Sequence, residues 1–353
     1  MIRFVTVGAI AFLVLAAGLA SAQSIVADHH SANEFDAIPA GYFDTVRDQY
    51  NFFYGHTSHG SQITSGLTVL EQIDSDLYAD VTMSEILDDL GHNGDLSWVQ
   101  PTRDYLDGHP DCNAVMWSWC GGASDNSAAG IDIYLQAMTH LETDYPDVVF
   151  IYMTGHLDGT GPEGNLYQRN NQIRQYCELN NKVLFDFADI ESYDPDTTWY
   201  PNEDDGCDWC AVWCGTNDCP DCWSCAHSHC FNCYRKGRAF WWMMAQVAGW
   251  QAPTPAPDAP HSGLVLAPNR PNPFNPATTI AFTVPRATNA RVTVLDSRGR
   301  LVAELMDGVV DSGSHEVNWQ GRDKLGRAVP SGNYFYRLET NSGRLIRKMT
   351  LLK

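Results

Sequence analysis

Basic residues are scarce in this sequence. Its 353 residues include 22 Lys and Arg against 43 Asp and Glu, so the formal net charge is −21. The deficit lies in the front part, because residues 267–353 hold 13 basic and 7 acidic residues and the remainder holds 9 and 36. An acidic surface repels the phosphates of nucleic acids, so the composition argues against nucleic-acid binding. It favours solubility and cationic or neutral ligands.

Long apolar runs are also lacking after residue 22. The first 22 residues have the features of a secretory signal, with Arg3, an apolar stretch from Ala9 to Ala20, and a small-x-small cleavage site at Ala20–Ala22. No later stretch is long and apolar enough to span a bilayer. We therefore expect a secreted or cell-surface protein whose mature chain has no transmembrane segment.

Cysteine is absent after residue 233, although the chain has 11 cysteines. Eight of them fall in one short stretch: Cys207, Cys210, Cys214, Cys219, Cys222, Cys225, Cys230 and Cys233. In an exported protein this pattern predicts disulfide bridges, and the odd total leaves at least one thiol without a partner in the chain. The Cys-x-x-Cys spacings also suit tetrahedral zinc, and this alternative stays open with Cys207, Cys210, Cys219 and Cys222 as the ligands.

The front part alternates between strand and helix patterns. We expect strands at residues 50–54, 113–120, 147–153 and 182–188, and helices at residues 62–73, 81–90, 131–145, 165–181 and 235–250. Residues 23–48 carry few apolar side chains and are expected to cover the surface up to a helix at 42–49. This alternation predicts an α/β domain over residues 23–250, with a parallel sheet between two helical layers and a Cys-rich insertion at 207–233.

Three polar, glycine-bearing turns follow the predicted strands. They are Gly55–Ser61, Cys120–Ser124 and Thr154–Gly159. Because right-handed crossovers bring the carboxyl ends of parallel strands to one edge, we expect these turns to converge there. Ser58 is the candidate for the tip of the first turn, beside the N-terminus of the following helix.

The hydrophobic period changes to two after a Pro/Ala-rich linker at residues 251–263. Prolines make such a linker extended and semi-rigid. Short alternating strands separated by glycine turns then follow up to residue 353, which predicts a second domain, a β-sandwich, over residues 264–353.

The tail resembles the FlgD-type immunoglobulin-like domain, which is close to type IX secretion C-terminal sorting domains. The segments that carry the resemblance are Pro271–Ile280, Val294–Gly299, Trp319–Asp323, Ser331–Tyr336 and Lys348–Lys353. The resemblance implies an immunoglobulin-like sandwich and a secretion or sorting machinery as its partner. A plain spacer domain is the alternative.

The front domain resembles SGNH-type (GDSL-like) hydrolases. Ser58 matches the serine that follows the first strand, and Gly121 or Gly122 matches the glycine that follows a later strand. Leu157 stands where the family has asparagine, and neither His227 nor His229 has an aspartate three residues before it. The resemblance implies a flavodoxin-like sandwich, although two of the family's four signature features are altered.

The resemblance also implies roles for these residues in ester hydrolysis without a cofactor. Ser58 would be the nucleophile, and His227 the base, oriented by a backbone carbonyl or by an acid such as Asp221. The N–H groups of Ser58 and Gly121 would donate to the oxyanion, and His156 would replace the missing asparagine. The substrate would be an ester, such as acyl groups on an extracellular polysaccharide.

A non-catalytic protein that binds carbohydrate or metal on the same fold is the alternative function. His56, His59, His156, Asp158 and His227 could converge on one edge as metal ligands. The aromatic residues nearby would suit stacking on sugar rings, and they are Tyr54, Trp117, Trp119, Trp199 and Trp223. His227 and His229 could instead simply fill a disulfide-dense loop.

Overall fold

The computed structural model describes residues 24–252, 265–284, 287–340 and 343–353. The predicted signal segment at 1–22 and all but the first two residues of the predicted linker at 251–263 lie outside these ranges. The described residues form an α/β unit and an all-β unit, and each unit has its own apolar core.

The front unit is built on a six-stranded parallel sheet, as the alternating sequence pattern predicts. In chain order the strands are β1 Ile25–Ala27, β2 Asn51–Gly55, β3 Thr82–Ile86, β4 Ala114–Trp117, β5 Val149–Met153 and β6 Val183–Phe185. Across the sheet they lie in the order β1-β6-β5-β4-β2-β3. The direction of progression through the sheet therefore reverses between β2 and β4. In open parallel sheets ligands commonly bind at the carboxyl ends of the strands at such a point.

Helices cover both faces of this sheet. They are α1 His29–Glu34, α2 Gly41–Gln49, α3 Ser61–Ile73, α4 Val99–Gly108, α5 Ala128–Asp144, α6 Asn165–Leu179, α7 Phe187–Ser192, α8 Asp208–Cys214 and α9 Cys230–Val247. Neighbouring strand residues point to opposite faces, so Met116 belongs to the core on the side of α9, with Phe240 and Trp241, whereas Val115 belongs to the core on the side of α5, with Met138. No helix in the described parts of the chain is both long and apolar enough to cross a membrane.

The sequence-based assignment is wrong at two places in this unit, and it also missed helices α1, α4, α7 and α8. Residues 81–90 were expected to be helical, but they contain β3, an edge strand that pairs with β2 on one side. Most of its side chains are at least partly exposed, so the apolar pattern of a buried strand is missing. Residues 25–27 form β1 beside β6 rather than a surface segment.

The tail consists of two antiparallel sheets, which agrees with the predicted sandwich. Its strands are β7 Val265–Leu266, β8 Thr278–Val284, β9 Thr288–Leu295, β10 Leu301–Val310, β11 Gly313–Trp319, β12 Gly332–Thr340 and β13 Gly343–Leu351. One sheet has the order β10-β9-β12-β13 and the other β11-β8-β7. A single core that includes Phe282, Val292, Trp319 and Tyr336 fills the space between them. The alternating pattern predicted strands at 279–284, 290–295, 316–319, 334–338 and 347–352, so strands β7 and β10 were missed.

Four disulfide bridges cross-link the Cys-rich insertion. The pairs are Cys207–Cys210, Cys214–Cys219, Cys222–Cys230 and Cys225–Cys233. The zinc alternative is therefore wrong for the four sulfurs proposed, because they belong to three different bridges and none is a free thiolate. Three thiols stay unpaired, Cys112, Cys120 and Cys177, and only Cys120 is not buried.

Candidate functional site

The three predicted turns meet at the carboxyl edge of the sheet, which confirms the expected convergence. Ser58 and His59 follow β2 in a short 3₁₀ turn, Cys120 follows β4, and His156 follows β5. The Oγ atom of Ser58 lies 3.2 Å from Cys120 Sγ. The imidazole of His59 stacks on that of His156 with 3.6 Å between ring centroids.

Two further residues reach this edge from the segment that leads into and through the disulfides. An isolated antiparallel bridge between Asp158 and Asp204 places Asp205 there. His227 stacks on the other side of the cluster, 4.6 Å from the ring centroid of His59. We call the set Ser58, His59, Cys120, His156, Asp205 and His227 the rim.

His59 links a thiol to a carboxylate. Its Nε2 lies 2.8 Å from Oδ2 of Asp205, and its Nδ1 lies 3.5 Å from Sγ of Cys120. A carboxylate only accepts hydrogen bonds, so Nε2 carries the proton and the lone pair of Nδ1 faces the thiol. Burial lowers the pKa of His59, although the hydrogen bond with Asp205 opposes this shift. The imidazole is therefore neutral at pH 7 and able to accept a proton.

The structure does not bring Ser58 and His227 into hydrogen-bond contact. The Oγ of Ser58 contacts Cys120 rather than a histidine nitrogen among the described residues. His227 is exposed, and Asp221, its candidate orienting acid, accepts a hydrogen bond from the N–H of Cys222. His229 caps α9, because its Nδ1 accepts from the N–H of Phe231. The Ser58–His227 pair thus stays a prediction without a geometric counterpart.

Backbone donors are available beside the rim. The N–H of Ser58 opens the 3₁₀ turn, and the N–H of Gly121 follows Cys120 with φ at 81°. Neither N–H donates to another residue in the described part of the chain. Both therefore keep the donor that the sequence analysis assigned to an oxyanion hole.

His156 presents a hydrogen-bond acceptor at Nε2, whereas an oxyanion hole needs a donor. Its Nδ1 lies 2.8 Å from the carbonyl oxygen of Leu157 and must donate to it. Its Nε2 is then an acceptor, and that atom is buried without a partner among the described residues. In the neutral form His156 presents a lone pair, not a donor.

The side chains of His56 and Asp158, the other two residues of the expected metal set, have partners outside the rim. His56 pairs with Glu85 of β3 at 2.6 Å. Asp158 forms a turn by accepting from the N–H of Thr160 at 3.0 Å. Of the five residues proposed from sequence, His59, His156 and His227 come together.

A buried ionic network lies beneath the rim, and the sequence analysis missed it. The ammonium of Lys236 in α9 lies 2.7 Å from Oε1 of Glu191, and both side chains have no solvent exposure. Lys236 also donates to Gln62, which in turn donates to the carbonyl of Ala226. The other oxygen of Glu191 accepts from the N–H of Leu157 at 2.7 Å. The network therefore anchors the residues next to His156 and His227.

Burial lowers the pKa of Lys236 to about 8, while the attraction of Glu191 opposes the shift. A buried charge without a partner is very costly, so loss of Glu191 would disturb this part of the core. The one sequence signal for the network is a lysine within a strongly apolar helix.

A cleft of about 650 Å³ begins next to the rim at residues 157–159. Three aromatic residues, Tyr167, Tyr193 and Trp199, line it, and Trp199 is 45% exposed. Arg344 of the tail also lines it. Of the other aromatic candidates, Tyr54, Trp117 and Trp119 are buried in the core, whereas Trp223 is fully exposed on the insertion.

Comparison with known proteins identifies the tail. Residues 274–344 match the FlgD Ig-like domain, so the expected immunoglobulin-like unit is confirmed. No curated protein matches this chain at a significant level.

Solved structures similar to this chain include two proteins of Porphyromonas gingivalis. Dimeric latent PorU is 24% identical over 26% of this chain and 9% of its own, with a TM-score of 0.22. PorZ, a surface component of the type IX secretion system, is 23% identical over 26% and 12%, with a TM-score of 0.19. FlgD from P. aeruginosa is 24% identical over 21% and 58%, with a TM-score of 0.18. The chain thus spans only a small part of the first two proteins.

Proposed function

We propose that the front unit is an exported acyl hydrolase that cleaves an ester through a covalent intermediate on Cys120. The observation that carries the proposal is the chain of contacts from Sγ of Cys120 to Nδ1 of His59, and from Nε2 of His59 to Asp205. A nucleophile, a base and a carboxylate that orients the base are the three parts that acyl transfer needs.

The reaction follows from these positions. His59 accepts the thiol proton on Nδ1, and the thiolate of Cys120 attacks the ester carbonyl carbon. The N–H groups of Ser58 and Gly121 donate to the oxyanion, which collapses with cleavage of the C–O bond as His59 returns the proton to the leaving alcohol. Water then attacks the thioester carbonyl as His59 takes its proton, the C–S bond breaks to release the acid, and His59 returns the proton to the sulfur of Cys120.

The sequence-derived assignment, with Ser58 as the nucleophile and His227 as the base, is the rival within the same function. Ser58 Oγ lies against Cys120 Sγ, so either atom would attack from nearly the same place. The contact between His59 and the sulfur favours Cys120.

The fold supports the same proposal. Without β1 the sheet order is β3-β2-β4-β5-β6, which is the flavodoxin-like order of SGNH hydrolases. Ser58 and Cys120 follow β2 and β4, on the two sides of the point where the order reverses. Ligands commonly bind at that point in open parallel sheets.

We propose an acylated extracellular glycan as the substrate and delivery by a type IX-like secretion or sorting system. The aromatic cleft beside the rim has the planar side chains that stack on sugar rings. The FlgD Ig-like tail and the predicted signal segment are consistent with a secreted or surface-displayed enzyme.

The test is hydrolysis of p-nitrophenyl acetate and acetylated xylan by the purified protein. Cys120→Ala should lower kcat/KM by a factor of about 10³ or more, because it removes the covalent route. Iodoacetamide should inactivate the wild type, because Cys120 is the one free thiol that is not buried.

Cys112→Ala is the matched control, since Cys112 is a free thiol at the opposite end of the same strand, β4. It should keep kcat/KM within about threefold. A large loss in Ser58→Ala together with full activity in Cys120→Ala would contradict the cysteine assignment and favour the serine. Absence of turnover on both substrates would remove the hydrolase proposal.

A glycan-binding role without catalysis is the second candidate, and the half-exposed Trp199 in the cleft favours it. In that case the protein should bind xylan but hydrolyse neither substrate. Trp199→Ala should weaken xylan binding by about 0.5 to 1.5 kcal/mol, the scale of a lost aromatic stacking contact. Isothermal calorimetry would measure the loss, with the exposed Trp223→Ala as the control.

A further inference from the structure

We propose that the rim also binds one divalent transition-metal ion of the Zn²⁺ type through His59, Asp205 and His227. One possible ligand atom from each of these three residues lies within 4.8 Å of the other two. Two imidazoles and one carboxylate form a set that zinc accepts, whereas Mg²⁺ and Ca²⁺ prefer oxygen ligands alone.

The positions of the three side chains allow them to close around an ion. Bonds of about 2.0 to 2.2 Å place neighbouring ligand atoms of a tetrahedral zinc site roughly 3.5 Å apart. His59 is buried, and the side chain of Asp205 is 31% exposed. His227 is exposed, so it can move the short remaining distance without disturbing the core.

His156 supplies an independent observation that points to a ligand. Its buried Nε2 has no partner among the described residues, while its Nδ1 is fixed by the carbonyl of Leu157. A ligating histidine usually has its second nitrogen held in this way, which fixes the tautomer and the ring orientation. Because its ring stacks on that of His59, this open acceptor lies beside the three proposed ligands.

The surroundings favour a cation at this place. Outside residues 267–353 the chain has 36 acidic and 9 basic residues, so the front unit attracts divalent cations. The eight cysteines of the insertion are bound in disulfides and offer no competing thiolate site.

If Cys120 and His59 carry out the proposed hydrolysis, the ion would also control that reaction. The metal site itself does not depend on the proposed function. A metal bound to Nε2 of His59 and to Asp205 replaces the proton that Nε2 shares with Asp205. The remaining proton of the neutral imidazole is then on Nδ1, which can no longer accept a proton from Cys120. Metal binding and the transfer of the thiol proton are therefore mutually exclusive, and Zn²⁺ would act as a reversible inhibitor.

The experiment is a Zn²⁺ titration of the full, oxidised protein by isothermal calorimetry after treatment with a chelator and in the absence of substrate. The wild type should bind one Zn²⁺ per chain. His227→Gln and Asp205→Asn should each weaken binding by a factor of ten or more, roughly the cost of losing a ligand or its support. Co²⁺ should give the visible absorption of a tetrahedral site in the wild type and lose it in both variants.

His92→Gln is the matched control. His92 forms a pair with Asp125 at 2.8 Å, and both side chains are 61% exposed, so it is a His–Asp pair outside the rim. Its Zn²⁺ affinity should equal that of the wild type. Equal losses in His92→Gln and His227→Gln would overturn the proposal by showing surface adsorption, and so would an absence of binding or wild-type affinity in the two rim variants.

Cys120→Ala separates this inference from the proposed function. It should abolish hydrolysis and still bind Zn²⁺, because the sulfur is not one of the three ligands. Zinc binding without any turnover in the wild type would contradict only the hydrolase. Turnover without zinc binding would contradict only the metal site.

Discussion

Each ring nitrogen of His59 has a neighbour with a different chemistry. Asp205 holds one nitrogen in its protonated form, and this leaves the other nitrogen free to face the sulfur of Cys120. His59 and Asp205 are 146 residues apart in the sequence. A single carboxylate from a surface loop thus determines which nitrogen of a buried imidazole takes part in chemistry.

Asp28 gives a pH-dependent stability that can be measured. Burial and the nearby charge of Asp189 raise the pKa of Asp28 to about 7, against the opposing effect of His29. The folded state therefore holds a proton that the unfolded state releases near pH 4. The contribution of Asp28 to stability is full below pH 4 and is lost as pH rises to about 7.

We compare the free energies of unfolding of the wild type and of Asp28→Asn. The excess of the wild-type value should decrease by roughly 2 to 4 kcal/mol between pH 4.5 and pH 7.5. Asparagine keeps the helix cap that Asp28 provides through the N–H of Ser31, so the cap is not lost in the comparison. Urea unfolding at several pH values measures the difference. A difference that does not change with pH would show that Asp28 is ionised in the folded protein.

The sequence identified part of the rim and missed its key partners. Ser58, His59 and His156 could be placed because each follows a strand in a glycine-bearing turn, and that local pattern implies a common edge. Asp205 could not be chosen among the many acidic residues of its loop, because only the long-range bridge at Asp204 brings it to His59. Cys120 was hidden among eleven cysteines that export predicts to be paired.

At the scale of elements, helices α3 and α9 determine the position of the rim. The two helices approach so closely at Gly66 that an added Cβ atom would lie 2.0 Å from the carbonyl oxygen of Cys233. Helix α3 follows the turn that carries His59, and α9 carries Lys236 of the buried network. Close packing between these helices therefore holds the network under the site.

Gly66→Ala should destabilise the protein by about 3 kcal/mol or more. The added Cβ atom would clash with the backbone oxygen of Cys233 and the backbone nitrogen of Gly237, and neither can move without shifting α9. Gly41→Ala is the control, since Gly41 begins α2 and a Cβ atom there meets nothing within 4 Å. That variant should stay within about 1 kcal/mol of the wild type. Urea denaturation gives both values, and equal stability of the two variants would mean that the helices are farther apart.

Elements with a strong hydrophobic pattern were predictable from the sequence, whereas the strands at the edges of the sheet were not. The buried run at 147–153 identified β5 because a central parallel strand is apolar on both faces. Strand β3 lies at the edge and is mostly exposed, so its residues lack that pattern. Strand β1 has three residues, and its pairing with β6 depends on contacts that no local window contains.

At the scale of the molecule, the two units have separate cores and few ionic contacts. Arg344 of β13 bonds Glu178 of α6 at 2.6 Å, and both side chains are partly exposed. Such a pair contributes at most about 1 kcal/mol. The stability of the front unit should therefore depend little on the tail.

A chain that ends at residue 252 should hydrolyse p-nitrophenyl acetate with a kcat/KM within about twofold of the full chain. Its KM for acetylated xylan should rise, because Glu339 and Arg344 line the cleft beside the rim. Circular dichroism would confirm that the shorter chain is folded. Loss of turnover on the small ester in a folded truncated chain would show that the tail supports the site directly.

The disulfide bridges have a consequence for the timing of maturation. They join cysteines separated by 3, 5, 8 and 8 residues, directly after Asp205 and around His227. Such bridges form in oxidising compartments and stay open in a reducing cytoplasm. A precursor awaiting export thus lacks the cross-links that support both residues, and the proposed enzyme would stay latent inside the cell that makes it.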